Sequence, residues 1–322
     1  MASRRRLLIA TVLLFSTGGA AAATASTRIA GIADHELTWW WKPHNTTVAA
    51  ELAYVLQHAD LITGVILYCQ WSVLDDGTFG LWPYDSKGKD FGDNTACPAV
   101  IDAMHEAGIA TQVIVSMGDN NSTAFELAFK HAEAFAVAML AVSEKDSHYQ
   151  SPKLSGWNFD FEGEAPIDLY APFLGTVRKA LAPHGLTVTV CGSAGGNRLD
   201  GNLTKLARAT DGVYDMGSYH ANSKANFQLK LNSALRQDPK CVIGIAAYVR
   251  YAYENTTQGI VDRMNMVVDA GVRSLAFFDL NDAVDPTVSK KVRWPNQDLW
   301  WACLGAWAKG DTAGCKQAAG ED

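Results

Sequence analysis

Carboxylate and aromatic side chains alternate in one short segment of the chain, SGWNFDFEGE at residues 155–164. Asn158, Asp160 and Glu162 occupy every second position there. Successive side chains of a β-strand point to opposite faces, so a strand would place these three polar groups on one face. Two carboxyl groups side by side in a poorly solvated site do not both ionise readily, because like charges repel each other there. The carboxyl group that keeps its proton is suited to general acid catalysis.

The other face of the same segment carries Trp157, Phe159 and Phe161. A strand at the solvated edge of a sheet would not need three aromatic residues opposite its carboxylates. A strand of an α/β barrel has this pattern, because its alternate side chains point outward to the helices and inward to the barrel interior. The polar face would then lead to the carboxyl end of the strand, where barrel enzymes keep their chemistry.

Short apolar segments that are typical of strands alternate with amphipathic helical patterns along the chain. The predicted strands span residues 28–35, 61–70, 110–117, 154–162, 186–191, 212–219, 241–248 and 274–280. The predicted helices span residues 47–59, 97–107, 124–142, 168–182, 203–210, 227–237 and 257–270. Repeated strand–helix alternation favours parallel pairing with right-handed crossovers. The pattern therefore predicts an α/β fold, a (β/α)8 TIM barrel.

A doubly wound open sheet is the alternative to a barrel, and it usually has a glycine-rich phosphate turn after its first strand. No such turn follows residues 28–35, and the glycine cluster at 192–196 lacks the fingerprint spacing. No linker or change in composition divides residues 26–322, so we expect a single domain. Trp300, Leu304 and Trp307 lie on one face of a predicted closing helix.

The first residues of the chain predict a secretory signal peptide over residues 1–25. Three arginines precede a short apolar run and an alanine-rich segment, which is the usual order of such a peptide. Five N-x-S/T sequons agree with a secreted or lysosomal destination; they begin at Asn45, Asn120, Asn121, Asn202 and Asn255. No later apolar run is long enough to span a membrane.

The formal charge of the whole chain is −7, and loss of the three N-terminal arginines would bring it to about −10. An acidic chain argues against nucleic acid or an anionic membrane as a partner. The eight histidines and six cysteines show no metal-ligand spacing, and the sequence indicates no cofactor and no protein partner. We expect Cys303 to pair with Cys315, and we interpret Cys69, Cys191 and Cys241 as small buried apolar residues.

The segment 155–164 resembles the D-x-x-D-x-D-x-E signature on the fourth strand of glycoside hydrolase family 18. Asp160 and Glu162 match its last aspartate and its glutamate, whereas Ser155 and Asn158 replace its first two aspartates. Other strands continue the resemblance in the same order along the chain. They are residues 113–119, 214–220 with Tyr219 at the family's tyrosine, 241–251, and 275–282 with Phe278 in place of the usual tryptophan.

The resemblance implies retaining hydrolysis of β-linked N-acetylglucosamine by substrate-assisted catalysis. Glu162 would be the acid and then the base, Asp160 would hold the acetamido N–H, and Tyr219 would orient the acetamido oxygen. Asn158, Trp71 and Phe278 would contribute to substrate binding. The substrate would be an N-acetylglucosamine-containing oligosaccharide, either from chitin or from the chitobiose core of N-glycans.

Asn158 is the departure with the clearest chemical consequence, because an amide cannot take up a proton as an aspartate does. Asp160 would then stay ionised over more of the pH range. The replaced positions leave open a lectin, that is, a barrel which binds the sugar without cleaving it. A third alternative is a hydrolase that uses Asp160 or Glu164 with Glu162 as a conventional carboxylate pair, and it predicts activity on glycosides without an acetamido group.

Overall fold

Eight parallel strands close into a barrel in the computed structural model. The structure describes residues 35–44, 46–81, 95–117, 122–161, 167–193, 202–219, 221–246, 257–284, 297–311 and 313–319. The predicted signal peptide, Glu162 and Glu164 lie outside these residues. The strands are β1 (Glu36–Trp41), β2 (Gly64–Leu67), β3 (Trp71–Val73), β4 (Phe79–Leu81), β5 (Ala110–Met117), β6 (Gly156–Phe161), β7 (Thr187–Gly192), β8 (Gly212–Asp215), β9 (Val242–Ala246) and β10 (Ser274–Phe278).

The barrel order is β1, β2, β5, β6, β7, β8, β9 and β10, and parallel pairing of β10 with β1 closes the ring. β3 and β4 form an antiparallel hairpin, which attaches to β5 where Ser72 lies beside Ser116. The predicted (β/α)8 TIM barrel is thus confirmed.

Helices of the described residues surround the barrel and follow the predicted pattern closely. They are α1 (Val48–Gln57), α2 (Cys97–Glu106), α3 (Ser122–Lys130), α4 (Ala132–Lys145), α5 (Ile167–Leu181), α6 (Leu203–Ala209), α7 (Met216–Tyr219), α8 (Lys224–Gln237), α9 (Thr257–Asp269), α10 (Leu280–Val284), α11 (Gln297–Ala308) and α12 (Gly314–Ala319). The helix predicted over 124–142 is two helices that separate at His131. Among the described residues, no helix has the length and apolar character needed to cross a bilayer.

The first strand of the barrel is not the predicted segment 28–35. Residues 28–34 lie outside the described residues, and β1 spans Glu36–Trp41. Its three consecutive tryptophans are each at most 1% exposed. Trp40 packs inside the barrel, whereas Trp39 and Trp41 pack in the outer core. A parallel strand is covered on both faces, and this is why an unbroken run of large apolar residues fits here.

One side of β6 packs against the helices and the other points into the barrel interior, as the alternation of its sequence predicts. Trp157 and Phe159 lie in the outer core, beneath the helices. Asn158 lies on the inner face, where it contacts Thr189 and Cys191 of the neighbouring strand β7. The strand therefore delivers its polar side chains to the barrel interior.

Two disulfides join described residues, Cys69–Cys97 and Cys303–Cys315. The second confirms the predicted pair. Cys69 is buried as expected, but its disulfide with Cys97 was not predicted. Its partner Cys97 begins α2, which packs against β5. Cys191 and Cys241 remain buried thiols, as expected, and burial raises the pKa of Cys241 well above its usual value.

Gly156, the first residue of β6, provides a test of how closely β6 and β7 pack. A Cβ at this position would meet the hydroxyl and the carbonyl oxygen of Thr187 far inside contact distance. We expect Gly156→Ala to lower the free energy of unfolding by about 1–3 kcal/mol, as overpacking does. Gly175 in α5 has open space around its Cβ position, so Gly175→Ala should stabilise by about 0.5–1 kcal/mol. Urea unfolding of both variants measures the difference, and equal stabilities would contradict this packing.

Candidate active site

Asp160 lies near the carboxyl end of β6, and its side chain is half-buried. Its Oδ2 accepts a hydrogen bond from the hydroxyl of Tyr68 over 3.3 Å. Tyr68 directly follows β2, which is separated from β6 by β5 in the barrel. Sequence reasoning did not single out Tyr68. The sequence does contain a sign of its position. Tyr68 continues the series Gly64 and Ile66 at every second residue, so its side chain is expected on the same face of the strand as theirs.

Asn158 lies deeper than Asp160 and is 0% exposed. Its Nδ2 donates to the Thr189 hydroxyl over 2.8 Å, and its Oδ1 accepts from the Cys191 thiol over 3.1 Å. The Thr189 hydroxyl in turn donates to Oε1 of Gln112 over 2.6 Å. Because buried polar groups need such partners, this network fixes the inner face of β6 beneath Asp160. Asn158 thus bonds to the protein itself at the position for which we predicted substrate contact.

The segment predicted as a strand over 212–219 changes conformation halfway. β8 ends at Asp215, whose carboxylate accepts hydrogen bonds from the backbone N–H groups of Gly217 and Ser218 over 3.0 and 2.9 Å. These bonds satisfy free N–H groups at the start of a helical turn. The Ser218 hydroxyl donates to the carbonyl oxygen of Gly244 over 2.9 Å. The strand prediction was therefore too long, because Asp215 caps the turn α7.

The turn α7 brings Tyr219 to the carboxyl end of the barrel. A Cβ at Gly244 would clash with the Asp215 carbonyl oxygen and lie 3.3 Å from the Cβ of Tyr219. The bare backbone of β9 therefore lets α7 pack this closely. The Tyr219 ring meets the Phe278 ring edge-on, with 5.3 Å between the centroids.

Tyr214 is a second tyrosine of the same segment, and it serves a different purpose. Its hydroxyl donates to Glu36 Oε1 over 3.0 Å inside the barrel. Burial, reinforced by the charge of Glu36, raises the pKa of Tyr214 well above its usual value. Tyr214 is thus engaged within the interior, and Tyr219 is the tyrosine that lies beside Phe278.

Phe278, the last residue of β10, is half-buried at the same end of the barrel. Its ring lies 5.8 Å from the Trp40 ring and 5.3 Å from the Tyr219 ring. The structure therefore brings Phe278 and Tyr219 together. Asp160 lies at the same end of the barrel with Tyr68.

Trp71 belongs to a different part of the molecule. Its ring stacks on Phe79 at 5.0 Å and meets Tyr149 and Trp157 edge-on at 5.5 and 6.1 Å. Trp157 and Phe79 belong to the outer core. The ring contacts of Trp71 are thus packing contacts in that layer, apart from the residues around Phe278.

Lys42 is a further charged residue at this end of the barrel that sequence reasoning missed. It directly follows β1, and its Nζ lies 5.1 Å from the ring centroid of Tyr68 and 5.5 Å from that of Phe278. Correct placement of the first strand would have pointed to it. Lys42 links the two groups of residues, because Tyr68 contacts Asp160 and Phe278 contacts Tyr219. The carboxyl end thus combines a carboxylate, two tyrosines, an aromatic face and an ammonium group.

Solved structures share this barrel over most of its length. The spore cortex-lytic enzyme SleL of Bacillus cereus is 13% identical, with a TM-score of 0.61 over 84% of this chain and 74% of its own. A chitinase of Chromobacterium violaceum is 15% identical, with a TM-score of 0.59 over 84% and 98%. The glycoside hydrolase family 18 chitinase ChiB of Flavobacterium johnsoniae is 13% identical, with a TM-score of 0.57 over 86% and 94%.

These identities establish a shared fold. Neither a protein-family model nor a curated protein sequence matches the chain. The structural likeness agrees with the resemblance to glycoside hydrolase family 18 in the sequence. The chain thus shares the barrel fold of these enzymes, with polar and aromatic residues at the end where such folds carry their chemistry.

The network beneath Asp160 can be tested at Thr189. Thr189→Val keeps the side-chain shape but leaves Asn158 without its acceptor and Gln112 without its donor. We expect the free energy of unfolding to fall by about 1–3 kcal/mol, the cost of buried polar groups that lose a partner. Thr189→Ser keeps the hydroxyl and should lose less. Urea unfolding compares the two, and equal losses would show that the methyl group, and not the hydroxyl, is what matters.

Proposed function

We propose that this protein is a secreted or lysosomal glycoside hydrolase that cleaves β-linked N-acetylglucosamine units. The substrates are chitin oligosaccharides or the chitobiose core of N-glycans. The observation that carries the proposal is Asp160 at the carboxyl end of β6, held by Tyr68, in a barrel shared with chitinases. The predicted signal peptide and the two disulfides support an oxidising destination.

In this reaction Glu162, the residue after β6 in sequence, protonates the leaving glycosidic oxygen. The acetamido oxygen of the substrate then attacks the anomeric carbon, and the C–O bond to the leaving group breaks. The configuration of the anomeric carbon is retained overall, once water has opened the cyclic intermediate. Attack from within the substrate gains from proximity. Glu162 afterwards takes a proton from the water that opens the cyclic intermediate, and this returns the enzyme to its starting state.

Asp160 and Tyr219 would act on the acetamido group. Asp160 accepts a hydrogen bond from the acetamido N–H and balances the positive charge that develops on the cyclic intermediate. Tyr219 donates its hydroxyl to the acetamido oxygen, and Phe278 offers a ring face to the apolar side of the sugar. Asn158 acts indirectly, through the network that positions Asp160.

The matching experiment compares Glu162→Gln with the unchanged enzyme on soluble N-acetylglucosamine oligomers and on a chitobiose-core glycopeptide. We expect the variant to lose at least about a hundredfold in kcat, because general acid catalysis contributes that much or more. Binding of the oligomers should persist. Glu106→Gln is the control, because Glu106 is exposed at the end of α2 and away from the site.

Two outcomes would contradict the proposal in different ways. Binding of the oligomers without turnover by the unchanged protein would make the barrel a lectin, an alternative favoured by the amide at Asn158. Equal turnover of glycosides that lack an acetamido group would indicate a conventional carboxylate pair.

Asn158→Asp tests how the amide shapes the pH dependence of hydrolysis. The variant adds a carboxyl group below Asp160, beside the two that Asp160 and Glu162 already supply. Its negative charge disfavours loss of the proton from Glu162, the proposed acid. The alkaline limb of the pH–rate profile should therefore move to higher pH, by about one unit for a coupled group. Superimposable profiles of kcat/KM for the variant and the unchanged enzyme would show that position 158 has no part in the titration.

A further inference from the structure

We propose that Lys42 is a substrate-binding residue that makes this site select an oligosaccharide with a carboxylate beside the sugar held over Phe278. The inference rests on the proposed hydrolysis at N-acetylglucosamine. It changes the preferred substrate from an uncharged chitin or chitobiose oligomer to one in which a carboxylated sugar adjoins N-acetylglucosamine.

The backbone of Lys42 is held on both sides by one side chain. Asn281 in α10 accepts from the Lys42 N–H over 2.9 Å through Oδ1, and it donates to the Lys42 carbonyl oxygen over 2.8 Å through Nδ2. Nδ2 also donates to Oε1 of Glu51 over 2.6 Å. Glu51 is 2% exposed, and its other carboxylate oxygen accepts from the indole N–H of Trp41 over 2.6 Å. The backbone beneath the ammonium group is therefore preorganised.

The side chain of Lys42 extends over two aromatic rings of the candidate site, those of Tyr68 and Phe278. Its Nζ lies near the faces of both Tyr68 and Phe278, at 5.1 and 5.5 Å from the centroids. Aromatic faces attract a cation, so these rings hold the ammonium group over the site. A sugar that lies on Phe278 therefore comes next to a fixed positive charge.

The Lys42 ammonium group has no ion-pair partner among the described residues. The contacts shown for it are the two aromatic rings, which leave its N–H donors available to a ligand. The whole chain carries a formal charge of −7, so the sign of this charge is opposite to that of the net charge.

An ammonium group discriminates most strongly in favour of a negatively charged partner. Its hydrogen bond to a carboxylate also gains the attraction between two opposite charges, which a bond to a neutral hydroxyl lacks. Lysine acts as a compact point charge with rotatable donors, so it does not demand the planar, two-pronged geometry of arginine. A carboxylated sugar next to N-acetylglucosamine matches both the ammonium group and the proposed acetamido site.

The test compares two tetrasaccharides of equal length, one of N-acetylglucosamine alone and one that alternates N-acetylglucosamine with glucuronic acid. Calorimetry of the full protein measures both Kd values in the Glu162→Gln background, so that turnover does not interfere. We expect the carboxylated compound to bind at least about tenfold more tightly, the gain of one charge-assisted hydrogen bond. Lys42→Met, which keeps the aliphatic stem, should remove this preference, and Lys42→Arg should keep it. Added salt should weaken the preference.

Lys240→Met is the matched control, because Lys240 is exposed just before β9, at the amino end of the barrel, and its loss should leave the preference intact. Equal binding of the two tetrasaccharides, a preference that survives in Lys42→Met, or failure of the carboxylated compound to bind would overturn the inference. Hydrolysis assays separate the two proposals. A Lys42-dependent preference without turnover defeats only the proposed hydrolase, whereas turnover without the preference defeats only the role of Lys42.

Discussion

The hydrogen bonds between Asn158 and Thr189 and between Thr189 and Gln112 are the interactions on which the candidate site depends. A barrel interior offers these polar groups few partners besides one another, and an unsatisfied group there is costly. The bonds join β5, β6 and β7 side by side and so fix how far β6 projects toward the mouth. The position of Asp160 is therefore a consequence of side chains that lie below it and bond to one another.

Close backbone packing plays the equivalent part on the opposite side of the barrel. Gly244 leaves room for the turn after β8, and the Asp215 carboxylate caps the backbone N–H groups at the start of that turn. Tyr219 reaches Phe278 only because both conditions are met. The two halves of the candidate site thus depend on different physical devices, a satisfied polar network on one side and missing side-chain volume on the other.

The sequence predicts the barrel well, because the period of apolar residues in strands such as β5 is a local property. The motif and the alternation predict Asp160 and Tyr219 as site residues, and the structure places both at the carboxyl end of the barrel. The strand β1 was misplaced, because three consecutive tryptophans have no alternation to reveal a strand covered on both faces. Tyr68 and Lys42 were missed for a related reason, since their meeting with Asp160 and Phe278 depends on the stagger of strands around the closed barrel.

The disulfide Cys69–Cys97 ties the chain immediately beyond Tyr68 to the first residue of α2. The phenol that holds Asp160 is thus adjacent in sequence to a covalent anchor in the outer layer. Assembly of the site is in this way coupled to the redox history of the chain. A molecule that folds where thiols stay reduced would lack that anchor, so the redox conditions during folding help to shape the carboxyl end of the barrel.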